Sequence, residues 1–261
     1  MLEFFGFEDL MVGAAIFVAM IVQGVTGFGG SVVCSSAVTS IYGPALAVPI
    51  MAMSGHPING PLCIMQYKMI DWKSLAKIVA FALPGLLIGN FLFKTMDPLY
   101  AKIGVGAFVT IIACHGIYKA FFKEKLNAHK EANPDSTFAK VSRIGCLIVG
   151  GIAQGAFNVG GPLVTVFALS AVKDKSRFRA TMCMFWMVLN SVTMFNHWAA
   201  GFWTTEFWIK FGINLPFMIG GFLVGCFLHN KLNQQLFLKI VYIVLFFVGG
   251  QMFLSNVMTL I

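Results

Sequence analysis

Two glycine-rich octets and two asparagines concentrate the groups in this chain that could hold a ligand. Residues 23–30 read QGVTGFGG and residues 154–161 read QGAFNVGG, while Asn59 and Asn190 stand the same 131 positions apart. Glycines let a backbone approach an anion closely, and the first N–H groups of a helix, at its positive dipole end, attract one. Asparagine adds neutral donors and acceptors. A nucleotide-loop reading of the glycines would need a preceding strand and a soluble α/β unit around them.

Composition rules that unit out. Of 261 residues 58% are hydrophobic and only 11% charged, with a mean hydropathy of +0.83. Residues 11–67 and 180–205 contain no Asp, Glu, Lys or Arg. About 20 apolar residues cross a bilayer, so the chain reads as an all-α integral membrane protein. Its acidic start (Glu3, Glu8, Asp9) is not that of a cleaved signal peptide. The six cysteines lie in apolar stretches without a CxxC pair, which points to buried thiols rather than disulfides or metal. No cofactor is called for. The formal charge of +8 reports cytoplasmic loops rather than a nucleic-acid partner.

The octets belong to a longer internal similarity. Gln23/Gln154, Gly24/Gly155, Gly29/Gly160, Gly30/Gly161, Asn59/Asn190 and Trp72/Trp203 share one offset, and Leu83-Pro84 then faces Leu215-Pro216 after a small drift. The division is residues 1–120, a polar cytoplasmic linker at 121–140, and residues 141–261. Each half is expected to hold a pair of short helices broken at the glycines (10–25 with 31–42; 143–157 with 161–172) and three full spans (46–67, 74–93, 98–119; 178–200, 206–228, 235–256). A short pair, re-entrant or tilted, returns the chain to its starting side, and three more crossings then invert the second half. With the linker in the cytoplasm, only Lys94, Lys102 and Lys210 of the eighteen basic residues fall outside. That bias obeys the positive-inside rule and places both termini outside the cell. Inverted repeats are the common architecture of secondary transporters, with a substrate site near midplane.

The expected anion site is therefore lined by Gln23, Thr26, Gly27, Gly29, Gly30 and Ser31 from the first break and by Gln154, Asn158, Gly160 and Gly161 from the second. Asn59 and Asn190 sit at symmetric positions, so they line it or merely join helices. The proline-rich stretch SGHPINGP (54–61) should be unwound, and His56 within it is a candidate proton carrier. Gly85/Gly89 and Gly221/Gly225 read as helix-packing positions. Arg177 and Arg179 mark a cytoplasmic mouth, where snorkelling to headgroups would suffice. No carboxylate falls inside an expected apolar core, so coupling would run through histidine, backbone carbonyls or a proton carried by the substrate.

The two motifs, GVTGFGGSVV at 24–33 and GAFNVGGPLV at 155–164, in a duplicated chain of this length, resemble the sulfite exporter TauE/SafE family. Ser31 and Asn158 depart from the family pattern, and the PINGP stretch has no counterpart in it. The resemblance implies an inner-membrane permease for small sulfur-containing anions: sulfite, sulfoacetate or related organosulfonates. An anion channel is the alternative. An intramembrane enzyme would need an HExxH or paired acids at depth, which the sequence lacks. Besides substrate and lipid, a homodimer is compatible with the 14% aromatic content.

Overall fold

The computed structural model describes residues 6–92, 98–122, 144–145, 147–152, 154, 161–199 and 201–259. Every regular element among them is helical: α1 (Phe7–Thr26), α2 (Gly30–Tyr42), α3 (Pro44–Met65), a 3₁₀ turn (Tyr67–Met69), α4 (Trp72–Leu92), α5 (Pro98–Phe122), α6 (Gly161–Ala171), α7 (Lys175–Ala199), α8 (Thr205–Lys231) and α9 (Gln234–Val257). Four of these, α1, α4, α8 and α9, are both long and apolar enough to cross a membrane. Helices α3 and α7, at 22 and 25 residues, are long enough as well but carry the polar groups described below.

The chain forms two compact units, residues 1–71 with 176–232 and residues 72–175 with 233–261. Each draws on both halves of the sequence. In the first unit, α1 lies along α2 and α8, and α3 closes against α2 and α8. Small residues set the closeness of α1 and α8: a Cβ on Gly24 would come 2.6 Å from the Phe222 carbonyl, and Gly221 and Gly225 press on the backbone at Phe17 and Ile21. The packing reading of Gly221 and Gly225 is thus met. In the second unit, Gly85 of α4 meets the backbone at Ile148 and Gly151, and Gly106 of α5 meets Gly249 and Phe253 of α9.

Helix α1 is longer than the sequence pattern suggested. Its 20 residues reach about 30 Å, a full bilayer core rather than half of one. Gly6 and Asp9 explain the early start, because the Gly6 N–H donates to the Asp9 carboxylate at 2.9 Å and caps the first turn. Helix α2, at 13 residues, remains short. The stretch 54–61 is not unwound. Pro49, Pro57 and Pro61 all lie inside a continuous α3. Each proline forfeits one backbone hydrogen bond, whereas unwinding would expose a run of unpaired groups to an apolar surrounding.

Side chains of α1 secure both ends of α2. At one end Gln23 holds Gly30, as detailed below. At the other, Tyr42 donates to Asp9 Oδ1 at 2.5 Å. Asp9 and Gln23 are 14 residues apart, roughly 21 Å along the helix, which matches the length of α2. Asp9, just outside the first expected apolar piece at 10–25, is nonetheless buried. It is 1% exposed and takes both oxygens to Lys210 Nζ of α8, at 2.7 and 3.0 Å. Asn214 Nδ2 completes the network by donating to the Tyr42 hydroxyl at 3.0 Å.

Removing one partner of such a pair leaves a buried charge unopposed. Because the Lys210 side chain is 21% exposed, Lys210→Met should sit at the low end of the usual penalty, about 3 kcal/mol. A clear drop in the thermal midpoint of the detergent-solubilised protein is expected, with no drop for exposed Lys68→Met.

Candidate functional site

Besides the Asp9 network, two polar clusters lie in the first unit, one at the glycine break and one at the middle of α3 and α7.

The break is three residues long. Gly27 (φ 81°) ends α1 in the left-handed region, and Gly29 (φ 84°) turns the chain into α2. Both values favour glycine. Phe28 between them is buried and packs edge-on against Phe178 of α7. Ending one helix and starting another leaves carbonyls and N–H groups without helical partners, and neighbouring side chains take them up. Gln23 Oε1 accepts from the Gly30 N–H at 3.1 Å, and its amide nitrogen lies 3.4 Å from the Gly27 carbonyl. The Thr26 hydroxyl lies 2.8 Å from the carbonyls of Val22 and Phe28, donating to one at a time.

Two further helices reach the last turn of α1. Arg179 Nη1 of α7 donates to the Gly24 carbonyl at 3.0 Å, and His229 Nδ1 of α8 donates to the Val25 carbonyl at 2.8 Å. Both side chains are 1% exposed. Arg179 therefore does not snorkel. Arg177, two residues earlier, is separate from it and faces Asp71 at 3.9 Å.

The neighbours of Gly24 on α8, namely Phe222, Gly225 and Cys226, lie in the C-terminal half of that helix. The first break consequently sits beside one end of α8 rather than its middle. Ser31 follows the break, half-buried, in the first turn of α2.

The mid-helix cluster joins the two asparagines. Asn59 of α3 and Asn190 of α7 come from different halves of the sequence, yet both approach Gly55. Their amide nitrogens fall within 3.5 Å of the point a Gly55 Cβ would occupy. His56 Nε2 is 3.0 Å from the Ser191 hydroxyl, which donates to the Met187 carbonyl. Asn59 is 1% exposed, and its Oδ1 has no partner among the described residues; His56 Nδ1 is likewise buried and unpartnered.

The second octet is described only in part. Gln154 is buried, and Gly161 is the buried first residue of α6, its carbonyl taking the Thr165 hydroxyl at 2.8 Å. Asn158 and Gly160 lie outside the described residues.

Sequence reasoning missed Asp9, His229 and the depth of Arg179. His229 continues the Gly221/Gly225 face at the next four-residue step, a spacing that could have flagged it. Arg179 gave no such signal, because the charges around it in KDKSRFR resemble any helix end at an interface.

The model of the family described as sulfite exporter TauE/SafE matches residues 12–252. The chain belongs to the TauE/SafE family. It is 22% identical over 263 residues to a protein of Bacillus subtilis (strain 168) described as "Probable membrane transporter protein YunE", covering 92% of this chain and 95% of that one. No solved structure matches. The protein is thus a multi-pass membrane transporter with a small substrate, and not an enzyme.

In this transporter Gly27 and Gly201 share the left-handed backbone, but only Gly27 is crowded. A Cβ there would lie 2.9 Å from the Arg179 carbonyl, whereas one on Gly201 meets nothing within 4 Å. Gly201→Ala should cost the backbone strain alone, about 1–2 kcal/mol. Gly27→Ala should lower the thermal midpoint well beyond that; equal shifts would show that Arg179 gives way freely.

Proposed function

We propose that the protein carries small sulfur-containing oxyanions, such as sulfite or an organosulfonate, across the cytoplasmic membrane by alternating access, and that it is built as two inverted repeats. The observation that supports this most directly is the convergence of Asn59 and Asn190 over Gly55. Two neutral carboxamides and an imidazole at mid-helix offer hydrogen bonds to an oxyanion without the cost of burying a permanent charge among apolar walls. The unpartnered Asn59 Oδ1 is an acceptor, which suits an anion that also carries an O–H, as hydrogen sulfite does. A proton riding on the substrate would then accompany each transport event. Gly55 keeps the site open, since an added Cβ would lie 2.5 Å from Asn190 Nδ2.

The meeting of asparagines from the two sequence halves also supports the repeat, with divisions at 1–120, 121–140 and 141–261. The contact of Asp9 with Lys210 fits the proposed topology, in which both residues begin at the outer face. The octet residues Gln23, Thr26, Gly27 and Gly30 shape the break, whose N–H groups and positive helix end favour an anion nearby.

The test is flux into proteoliposomes under a sulfite gradient, with sulfoacetate, sulfate and chloride as competitors. Hydrogen bonds to a charged group are worth about 1.5–3 kcal/mol each. Asn59→Leu and Asn190→Leu should therefore each weaken saturable sulfite flux by at least tenfold, and Gly55→Ala should do so without removing any donor. Sulfite flux that does not saturate would instead indicate a channel. No flux of any of these anions through folded protein would refute the anion reading.

A further inference from the structure

Four residues of α7 fall on one stripe of that helix: Arg179, Trp186, Asn190 and His197 are spaced by seven, four and seven residues, close to whole numbers of helical turns. The stripe runs roughly 27 Å, nearly the depth of a bilayer core. All four side chains carry nitrogen, and none carries a negative charge. In three of them a buried nitrogen has no partner among the described residues: Arg179 Nε, Trp186 Nε1 and His197 Nδ1. The fourth, Asn190, is the residue that meets Asn59 over Gly55.

Chance placement of unpartnered N–H groups is disfavoured, because each buried donor without an acceptor costs about 1–3 kcal/mol. Arg179 is the extreme case. Its guanidinium is permanently charged and 1% exposed, yet its recorded side-chain contacts are the Gly24 carbonyl and the Cys226 thiol. Asp71 faces Arg177 instead. Asp9, the buried carboxylate on α1, is 15 residues from Gly24, roughly 22 Å along the helix. A buried cation with a spare N–H group and no acid beside it among the described residues calls for an anion.

We infer that this stripe of α7 is the wall along which the anion travels, with Arg179 as a charged station about 16 Å from the neutral Asn59/Asn190 site. The inference rests on the anion-transport reading and adds a second binding position to it. The Arg179 station lies at the glycine break, where the start of α2 contributes its positive end. It takes a small oxyanion through Nε, the guanidinium nitrogen without a partner among the described residues. Trp186 Nε1 donates a hydrogen bond to the anion on its way between the stations.

The experiment measures stabilisation of the full-length detergent-solubilised protein by sodium sulfite, with sodium chloride at equal ionic strength as reference. Arg179→Met and Trp186→Phe are compared with wild type, and Trp208→Phe, an exposed indole on α8, serves as control. Arg179→Met should abolish at least nine-tenths of the sulfite-dependent shift, whatever its effect on the unliganded midpoint, where loss of the bond to the Gly24 carbonyl and removal of a buried charge oppose each other. Trp186→Phe preserves the packing and should raise the half-saturating sulfite concentration about fivefold; Trp208→Phe should leave it unchanged.

An undiminished sulfite shift in Arg179→Met would assign Arg179 to structure alone and overturn the inference. Should that variant fail to fold, unchanged sulfite affinity in Trp186→Phe overturns it instead. Absence of any sulfite response in the wild type would refute the anion reading itself, a different result from a response that ignores both substitutions.

Discussion

A backbone interrupted inside an apolar surrounding must find new partners for the groups it frees, and the first unit is organised around meeting that demand at Gly27–Phe28–Gly29. Four side chains from three helices do so: Gln23 and Thr26 from α1 itself, Arg179 from α7 and His229 from α8. Each bond also fixes the position of the helix that supplies it. The pairing of α1 with α8 through Gly24, Gly221 and Gly225 brings His229 within reach of Val25. Phe28 against Phe178 fixes the start of α7. Without the break there would be unpaired carbonyls neither for Arg179 nor for His229 to reach, and no reason to bury either of them.

The helical fold was legible from sequence because apolar run length is a direct measure of bilayer thickness, so the spans expected at 74–93, 206–228 and 235–256 appear as α4, α8 and α9 within a few residues. One reading failed because it treated a local signal as decisive where the apolar surrounding overrode it. Prolines at 49, 57 and 61 break helices in water, where a freed carbonyl can solvate and the cost of unwinding is small. In α3 that exit is closed and the helix persists. Asp9 lies just outside the expected apolar pieces, yet it is drawn inward by Lys210, Tyr42 and the Gly6 N–H. Such partners lie up to 201 positions away in sequence, beyond any local pattern.

The candidate site was legible where the two halves repeat and obscure where they do not. Asn59 and Asn190 stood out through their shared offset, and the structure brings them to the same glycine. His56 has no counterpart at that offset, since position 187 is Met, but its partner Ser191 adjoins Asn190 on α7 and receives it directly. Under the proposed repeat, the divergence would be a specialisation, one half supplying the imidazole and the other the hydroxyl. Arg179 has no repeat partner of its kind either, because the residue 131 positions earlier is Val48. Under the proposed repeat, a charge present in one half only would make the two ends of the carrier unequal.

That inequality has a physical consequence for a transported anion. Binding must be strong enough to draw the ion out of water and weak enough to release it on the other side. A permanent buried charge at mid-membrane would satisfy the first requirement and defeat the second, since attraction between opposite charges grows as the surroundings lose polarity. The first unit separates the two tasks along α7. The charge stands at one end of the helix beside α1's last turn, and neutral amides stand at its centre. On the proposed route, an anion moving from Arg179 to the asparagines would exchange one strong interaction for several weaker ones, so that no single position along the stripe would become a trap. Neutral donors at the centre are what a carrier that must let go requires, and the position of Arg179 away from them follows from the same constraint.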